Sequence, residues 1–284
     1  ERPVSRARDS DAGAGDGIWG WLRRGLTAWL AARPAWMLPA VVVGVVVALP
    51  VWGMWIAPGP PMEEGFMLVF PERVMAGDLP NRDFLHLYGP GSLWVLAGTF
   101  KVLGVDLWVE RLVGLTQIVA LVAGVTYANY RWGRLAAAIG GITTALVIMP
   151  AIGLTALAWV GGLALGLWAC LLASRVAENS SAVERPSGTE HAEGTGRAAE
   201  KETTPRRRHR LLFLAGLLAG FALLYRPDLV LAVGLPFAML WLWGLGKPAR
   251  GWLLAGSVTG SSPMLVHFAL AGPGNAIQGM LLDP

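Results

Sequence analysis

Long apolar blocks without charge govern what this chain can become. Residues 36–57 are twenty-two consecutive residues with no Asp, Glu, Lys or Arg. At about 1.5 Å per helical residue they cross a ~30 Å hydrocarbon core. Such a core holds no water to satisfy backbone N–H and C=O groups, so a span without further partners must be helical. Further largely apolar blocks cover 108–129, 135–154, 155–174, 211–224, 229–246 and 252–272. The expected fold class is therefore an all-α integral membrane protein of about seven transmembrane helices. Tyr225-Arg226-Pro227-Asp228 separates two of the blocks. Only 15% of the 284 residues are charged and mean hydropathy is +0.51, against about a quarter charged in soluble domains. One Cys among 284 residues excludes a disulfide scaffold and a Cys-based metal site.

Basic residues set the expected orientation. Residues 91–104 form a fourteen-residue apolar stretch that contains Lys101. If this stretch does not cross, Arg23, Arg24 and Arg33, then Arg131 and Arg134, then Arg206 to Arg210, then Lys247 and Arg250 all share one side. Lys and Arg near spans favour the cytoplasm. The N-terminus is then cytoplasmic, the loop 58–107 faces outward, and 91–104 is an outer interfacial helix. The net charge of +4 and pI of 9.6 follow from these flanking loops and do not call for nucleic acid.

Four parts are expected. Residues 1–35 are a cytoplasmic leader, in which 17–33 place Trp21, Leu22, Trp29 and Leu30 on one helical face to lie on the membrane. Residues 36–174 are the first transmembrane part, with the outer loop. Residues 175–210 form a linker rich in Ser, Thr, Gly and Glu, expected to be disordered on the cytoplasmic side. Residues 211–284 are the second transmembrane part. The chain starts at Glu1 rather than Met and ends just after an apolar block, so it reads as a fragment of a longer protein.

The chemistry-bearing residues gather in the outer loop. Glu63 and Glu64 follow the first span, where a partly desolvated carboxylate can serve as a general base; a solvated acidic loop is the plainer reading. Arg82, Asp83 and His86 cluster beside Phe84 and Tyr88. Arg is suited to bidentate phosphate binding, although an Arg82–Asp83 surface pair accounts for it equally well. Glu63, Glu64, Asp83 and His86 are also ligand types for a divalent cation, at a spacing that is not diagnostic. Arg226 falls at the outer end of a span, against the charge rule, with Asp228 or a lipid phosphate as its partner. Arg111, beside Glu110, shares that ambiguity. His267 reads as a packing or hydrogen-bonding residue, and the glycines within spans suit close helix packing.

In order along the chain stand a first span, Glu63-Glu64, Arg82-Asp83-Phe84, His86, Tyr88-Gly89-Pro90, an amphipathic helix, Leu103-Gly104 and Glu110-Arg111-Leu112. The basic turn Tyr130-Arg131-Trp132-Gly133-Arg134 follows, and later a Gly-rich span containing Gly216 and Gly220 that ends in Tyr225-Arg226-Pro227-Asp228. Over roughly residues 36–284 this layout resembles membrane glycosyltransferases of the GT-C type, close to the protein mannosyltransferase and aminoarabinose transferase branch. The resemblance implies an inverting transfer of a sugar from a polyprenyl-phosphate donor to an acceptor on the outer membrane face. Membrane lipids are the other implied partners. It places Glu63 or Glu64 at the family's acidic catalytic position, where Asp is usual at the first site, and Arg226 near the donor phosphate. Substrate contacts are expected from Arg82, Asp83, His86, Tyr88, Arg111 and Arg226. The competing reading is a non-enzymatic transporter, flippase or assembly subunit. A transporter should carry polar residues near the bilayer midplane, whereas here they gather at the outer surface.

Overall fold

The computed structural model describes residue 34, residues 36–183 and residues 204–282. Every regular element among them is helical. Helix α1 spans Met37–Ile56, α2 Pro61–Met75, α3 Gly91–Leu103, α4 Leu107–Asn129, α5 Arg134–Ile152, α6 Ala158–Val183, α7 Thr204–Tyr225, α8 Val230–Met239 and α9 Lys247–Ala271. Among the described residues, α1, α4, α5, α6, α7 and α9 are long and apolar enough to cross a membrane. Their exposed side chains include Val41, Val45, Leu49, Ile139, Leu146, Leu265 and Leu270, the pattern of helices whose outer surface meets lipid rather than water.

Glycine spacing explains the tightest packing. Gly216 and Gly220 on α7 face Gly256 and Gly260 on α9. A Cβ at Gly256 would lie 2.0 Å from the Phe213 carbonyl oxygen, and one at Gly220 would lie 2.5 Å from the Gly260 carbonyl carbon. Small residues four apart let two backbones touch, which is how helices associate where lipid removes the hydrophobic drive. The contact register rises together on both helices, so α7 and α9 are parallel. Likewise Gly114 meets Leu154 and Gly124 meets Leu167, so α4 and α6 are parallel. The connection between α7 and α9 must therefore return across the bundle.

That return is the segment expected as a separate short span. Arg226 is extended (φ −145°, ψ 98°), a short 3-10 turn covers Pro227–Leu229, and α8 continues into a π-turn at Leu240–Gly244. Pro227 removes a backbone donor and ends α7. The eighteen residues 227–244 rise about 27 Å, and α8 alone is too short to span.

Two expectations are corrected at the linker. Residues 175–183 continue α6 and residues 204–210 open α7, so the ordered spans run farther than the composition suggested. On the first flank the chain packs: Val176 and Ala177 join Leu212, Ala215 and Leu253 in one buried cluster. Residues 184–203 and the leader helix expected at 17–33 lie outside the described residues.

The loop between α1 and α4 is itself largely helical. α3 rises about 20 Å, too little to cross. It buries Leu93, Leu96 and Phe100 against Met67 of α2 and Val109 of α4. A second core, with Val43, Val47, Ile118, Ile148 and Leu154, joins α1, α4 and α5.

Candidate functional site

The two acidic residues of the loop have opposite fates. Pro61 opens α2, where its missing N–H costs nothing and its fixed φ suits the helix. Glu63 and Glu64 then fall in the first turn, where the helix dipole favours negative charge. One step of 100° separates them. Glu63 faces out and is exposed, while Glu64 turns inward and is buried. Arg111 meets Glu64 bidentately, with Nε donating to Oε1 at 2.8 Å and Nη2 donating to Oε2 at 3.1 Å. The Gly59 N–H adds a third bond to Oε2. The remaining Arg111 nitrogen donates to the Met54 and Trp55 carbonyl oxygens. These carbonyls lie near the C-terminal end of α1, where a cation is favoured. Arg111 thus locks α1, α2 and α4 together, with every nitrogen of its guanidinium engaged.

Glu110 lies beside this pair, fully buried, and its Oε1 accepts a bond from the Ala156 N–H at 2.7 Å. It fixes the α5–α6 turn against the start of α4. Nothing in the sequence marked Glu110 for that task, because its partner is a backbone group 46 residues away.

The segment 78–90 docks across the same face. Asp83 is bonded by Arg82 at 2.8 Å and accepts the Leu79 N–H at 2.7 Å. The Arg82 bond and this backbone bond hold its carboxyl well below the usual range, at about 2. Arg73, which sequence reasoning passed over, pairs with Asp78, donates to the Asp83 carbonyl oxygen and lies over the Phe84 ring. Asn81, also passed over, adopts φ +63°. Its side chain donates to the His86 carbonyl oxygen and meets His267 Nε2 at 3.2 Å. Asn tolerates the left-handed region, the one local sign that could have drawn attention to it. His267 is therefore a hydrogen-bonding residue, and it ties the loop to α9.

His86 is buried, not presented. It stands edge-on to Phe70 and Tyr88, and its Nε2 has no hydrogen-bond partner among the described residues. Burial pushes its pKa down to about 4, with a smaller push from His267, against a raising bond with the Gly89 backbone.

Tyr88 and Arg226, 138 positions apart, are brought together: the guanidinium sits 5.0 Å from the ring centroid. The Gly89 N–H donates to the Tyr225 carbonyl oxygen at 3.0 Å. A Cβ at Gly89 would stand 2.1 Å from the Leu224 oxygen, so only glycine allows this approach. Arg226 also forms a bidentate pair with Asp228, at 2.8 and 2.5 Å, which raises its pKa further.

A polar cavity of about 260 Å³ opens between this loop and the chain's last turns. Arg82, Asp83 and Phe84 line it on one side, Asn275, Gln278 and Gly279 on the other. The acidic and imidazole groups expected for a divalent cation do not converge. Glu64 is held by Arg111, Asp83 by Arg82, and His86 stands between Phe70 and Tyr88. Among the described residues, no three His, Cys, Asp or Glu side chains are grouped to hold a metal.

A search of solved structures finds the crystal structure of ArnT from Cupriavidus metallidurans bound to undecaprenyl phosphate. The similarity has a TM-score of 0.53 at 15% identity and covers 89% of this chain. The chain has a GT-C-like membrane fold. It spans 43% of the length of that ArnT chain. No family model and no curated protein sequence matches.

Proposed function

We propose that the chain carries the donor-side machinery of a glycosyltransferase that moves a sugar from a polyprenyl phosphate to an acceptor at the outer membrane face. The observation that carries this reading is the division of labour between adjacent acids. Glu64 is consumed by Arg111, which leaves Glu63 exposed on a helix turn that the ion pair holds rigid. Support for the lipid comes from the fold shared with a protein crystallised with undecaprenyl phosphate.

In the proposed reaction Glu63 accepts the proton of the acceptor's attacking group as that group bonds to the anomeric carbon. The bond from anomeric carbon to phosphate oxygen breaks with inversion, and the lipid phosphate leaves with its electron pair. A cation near that phosphate stabilises the developing charge. Arg82 at the polar cavity and Arg226 over Tyr88 are the candidates. Each is engaged by a neighbouring carboxylate, Asp83 or Asp228, on an exposed pair of the kind worth little. Each can therefore exchange that partner for phosphate oxygens. Asn275 and Gln278 offer amide donors and acceptors to a sugar. Glu64 and Arg111 act as positioning residues.

The test is binding of a polyprenyl-phosphate sugar to the purified protein in detergent, wild type beside Arg82→Ala and Arg226→Ala. Binding weakened at least tenfold in one variant, with an unchanged melting temperature, supports the assignment. Equal affinity in all three proteins removes the phosphate role of both cations. No binding by a well-folded wild type turns the reading toward a non-enzymatic membrane subunit.

A further inference from the structure

The far end of the bundle carries a second built site, unrelated to the loop residues above. The 23 residues of α4 rise about 34 Å, from Leu107 beside the loop to Tyr130–Trp132 at the opposite membrane face. Helix α6 runs parallel to α4 and reaches the same face. Between them lies a cavity of about 290 Å³, lined by Tyr127, Tyr130, Arg131, Trp132, Arg175 and Glu178 among others.

The side chains there are arranged, not scattered. Tyr127 stacks on Trp168 with centroids 5.7 Å apart, and the Trp168 indole N–H donates to the Ala120 carbonyl oxygen. This fixes the Tyr127 ring. The Arg175 guanidinium lies 4.3 Å from the centroid of that ring, and Arg131 lies 4.1 Å from the centroid of Trp132. No carboxylate pairs with either guanidinium among the described residues, so each rests on an aromatic face with its donors unspent. Among the described lining residues, Glu178 is the one acid. Trp132 and the neighbouring Leu135 are 63% and 74% exposed. An exposed Trp beside an exposed Leu at the end of a span marks the depth of lipid headgroups. Two guanidiniums at that depth line one cavity, Arg175 on the held Tyr127 ring and Arg131 on the exposed Trp132 ring, and guanidinium forks suit phosphate oxygens.

We propose that this cavity binds the phosphate of an anionic phospholipid, with Arg131 and Arg175 as the two arms of the site. Basic pockets between transmembrane helices are suited to such headgroups. The lipid, rather than a soluble phosphate ester, is the favoured source. The cavity opens at the level of Trp132 and Leu135, so acyl chains can run along α4 and α5 while the phosphate sits between the arginines. The inference is independent of the glycosyltransferase reading.

The test uses the purified full chain in detergent, with retained lipid counted by native mass spectrometry. The probes are phosphatidylglycerol and phosphatidylcholine of identical acyl chains. We expect phosphatidylglycerol to be retained at least tenfold more strongly than phosphatidylcholine. Arg131→Gln/Arg175→Gln should abolish that preference, while Arg134→Gln, which removes a nearby charge outside the cavity, should leave it intact. Equal retention of the two lipids, or wild-type retention by the folded double variant, overturns the proposal. Displacement of the lipid by an equal concentration of glycerol 1-phosphate overturns the lipid assignment in favour of a soluble ester. Should the double variant fail to fold, a salt titration of the wild type decides. Recognition by two charges requires retention to fall as ionic strength rises, and salt-independent retention overturns it.

Discussion

Replacing Arg111 by Ala tests whether Glu64 serves structure, as its buried ion pair suggests. The Arg111 and Glu64 side chains are 4% and 10% exposed. Removing the guanidinium strands a buried carboxylate and frees two carbonyl oxygens at the end of α1. Breaking one side of a buried pair costs about 3–5 kcal/mol. At this chain length a kcal/mol corresponds to about 2 °C in Tm, so Arg111→Ala should melt about 6–10 °C lower in detergent. Glu64→Gln strands the opposite charge and should lose a comparable amount. The double variant Glu64→Gln/Arg111→Ala removes both charges and should lose less than the sum of the two single losses, because no uncompensated charge stays buried. Glu63→Gln, on the exposed side of the same turn, should leave Tm within about 1 °C, and under the proposed function it should abolish sugar transfer. The assay is thermal unfolding of the four variants beside the wild type, followed by intrinsic tryptophan fluorescence. An Arg111→Ala protein that melts with the wild type would refute the assignment of Glu64 to structure, and so would strictly additive losses in the double variant.

Three further outcomes are expected. Gly256→Val places a branched side chain 2.0 Å from the Phe213 carbonyl oxygen and should destabilise by about 1–3 kcal/mol or more. Gly234→Ala, with open space around it, should not, and a comparison of the two melting temperatures checks this. Gly89→Ala should detach the loop from Tyr225, seen as faster hydrogen exchange at residues 86–89 with little change in α7 itself. The depressed pKa of His86 makes stability fall with acidity. Above its ordinary value of 6.5 both folded and unfolded forms are neutral and no penalty exists. Below 6.5 the unfolded chain takes up the proton first, and the penalty grows until about pH 4, where the folded form titrates too. Over that window the loss is on the order of 3 kcal/mol, and His86→Gln should flatten the slope of Tm against pH.

The membrane architecture was legible in the sequence because insertion depends on local composition. A run such as 36–57 must be helical wherever lipid alone surrounds it. The glycine spacing of α7 announced close packing for the same reason, since a missing side chain is a local fact. Pro227 likewise ended α7 where the sequence put the break. The flanks of the linker were misjudged because 175–183 and 204–210 are polar in composition yet continue helices whose inner faces are buried by one another.

The site divided along the same line. Residue types at the loop pointed to acid, cation and aromatic chemistry, and those types depend on nothing but the chain. Which acid is free depends on Arg111, 47 positions from Glu64, and no local pattern contains that distance. The meeting of Tyr88 with Arg226, the burial of His86, and the tie from Asn81 to His267 are likewise products of helix packing. A charge is a property of a residue, but its availability is a property of its neighbours, and here those neighbours come from other helices.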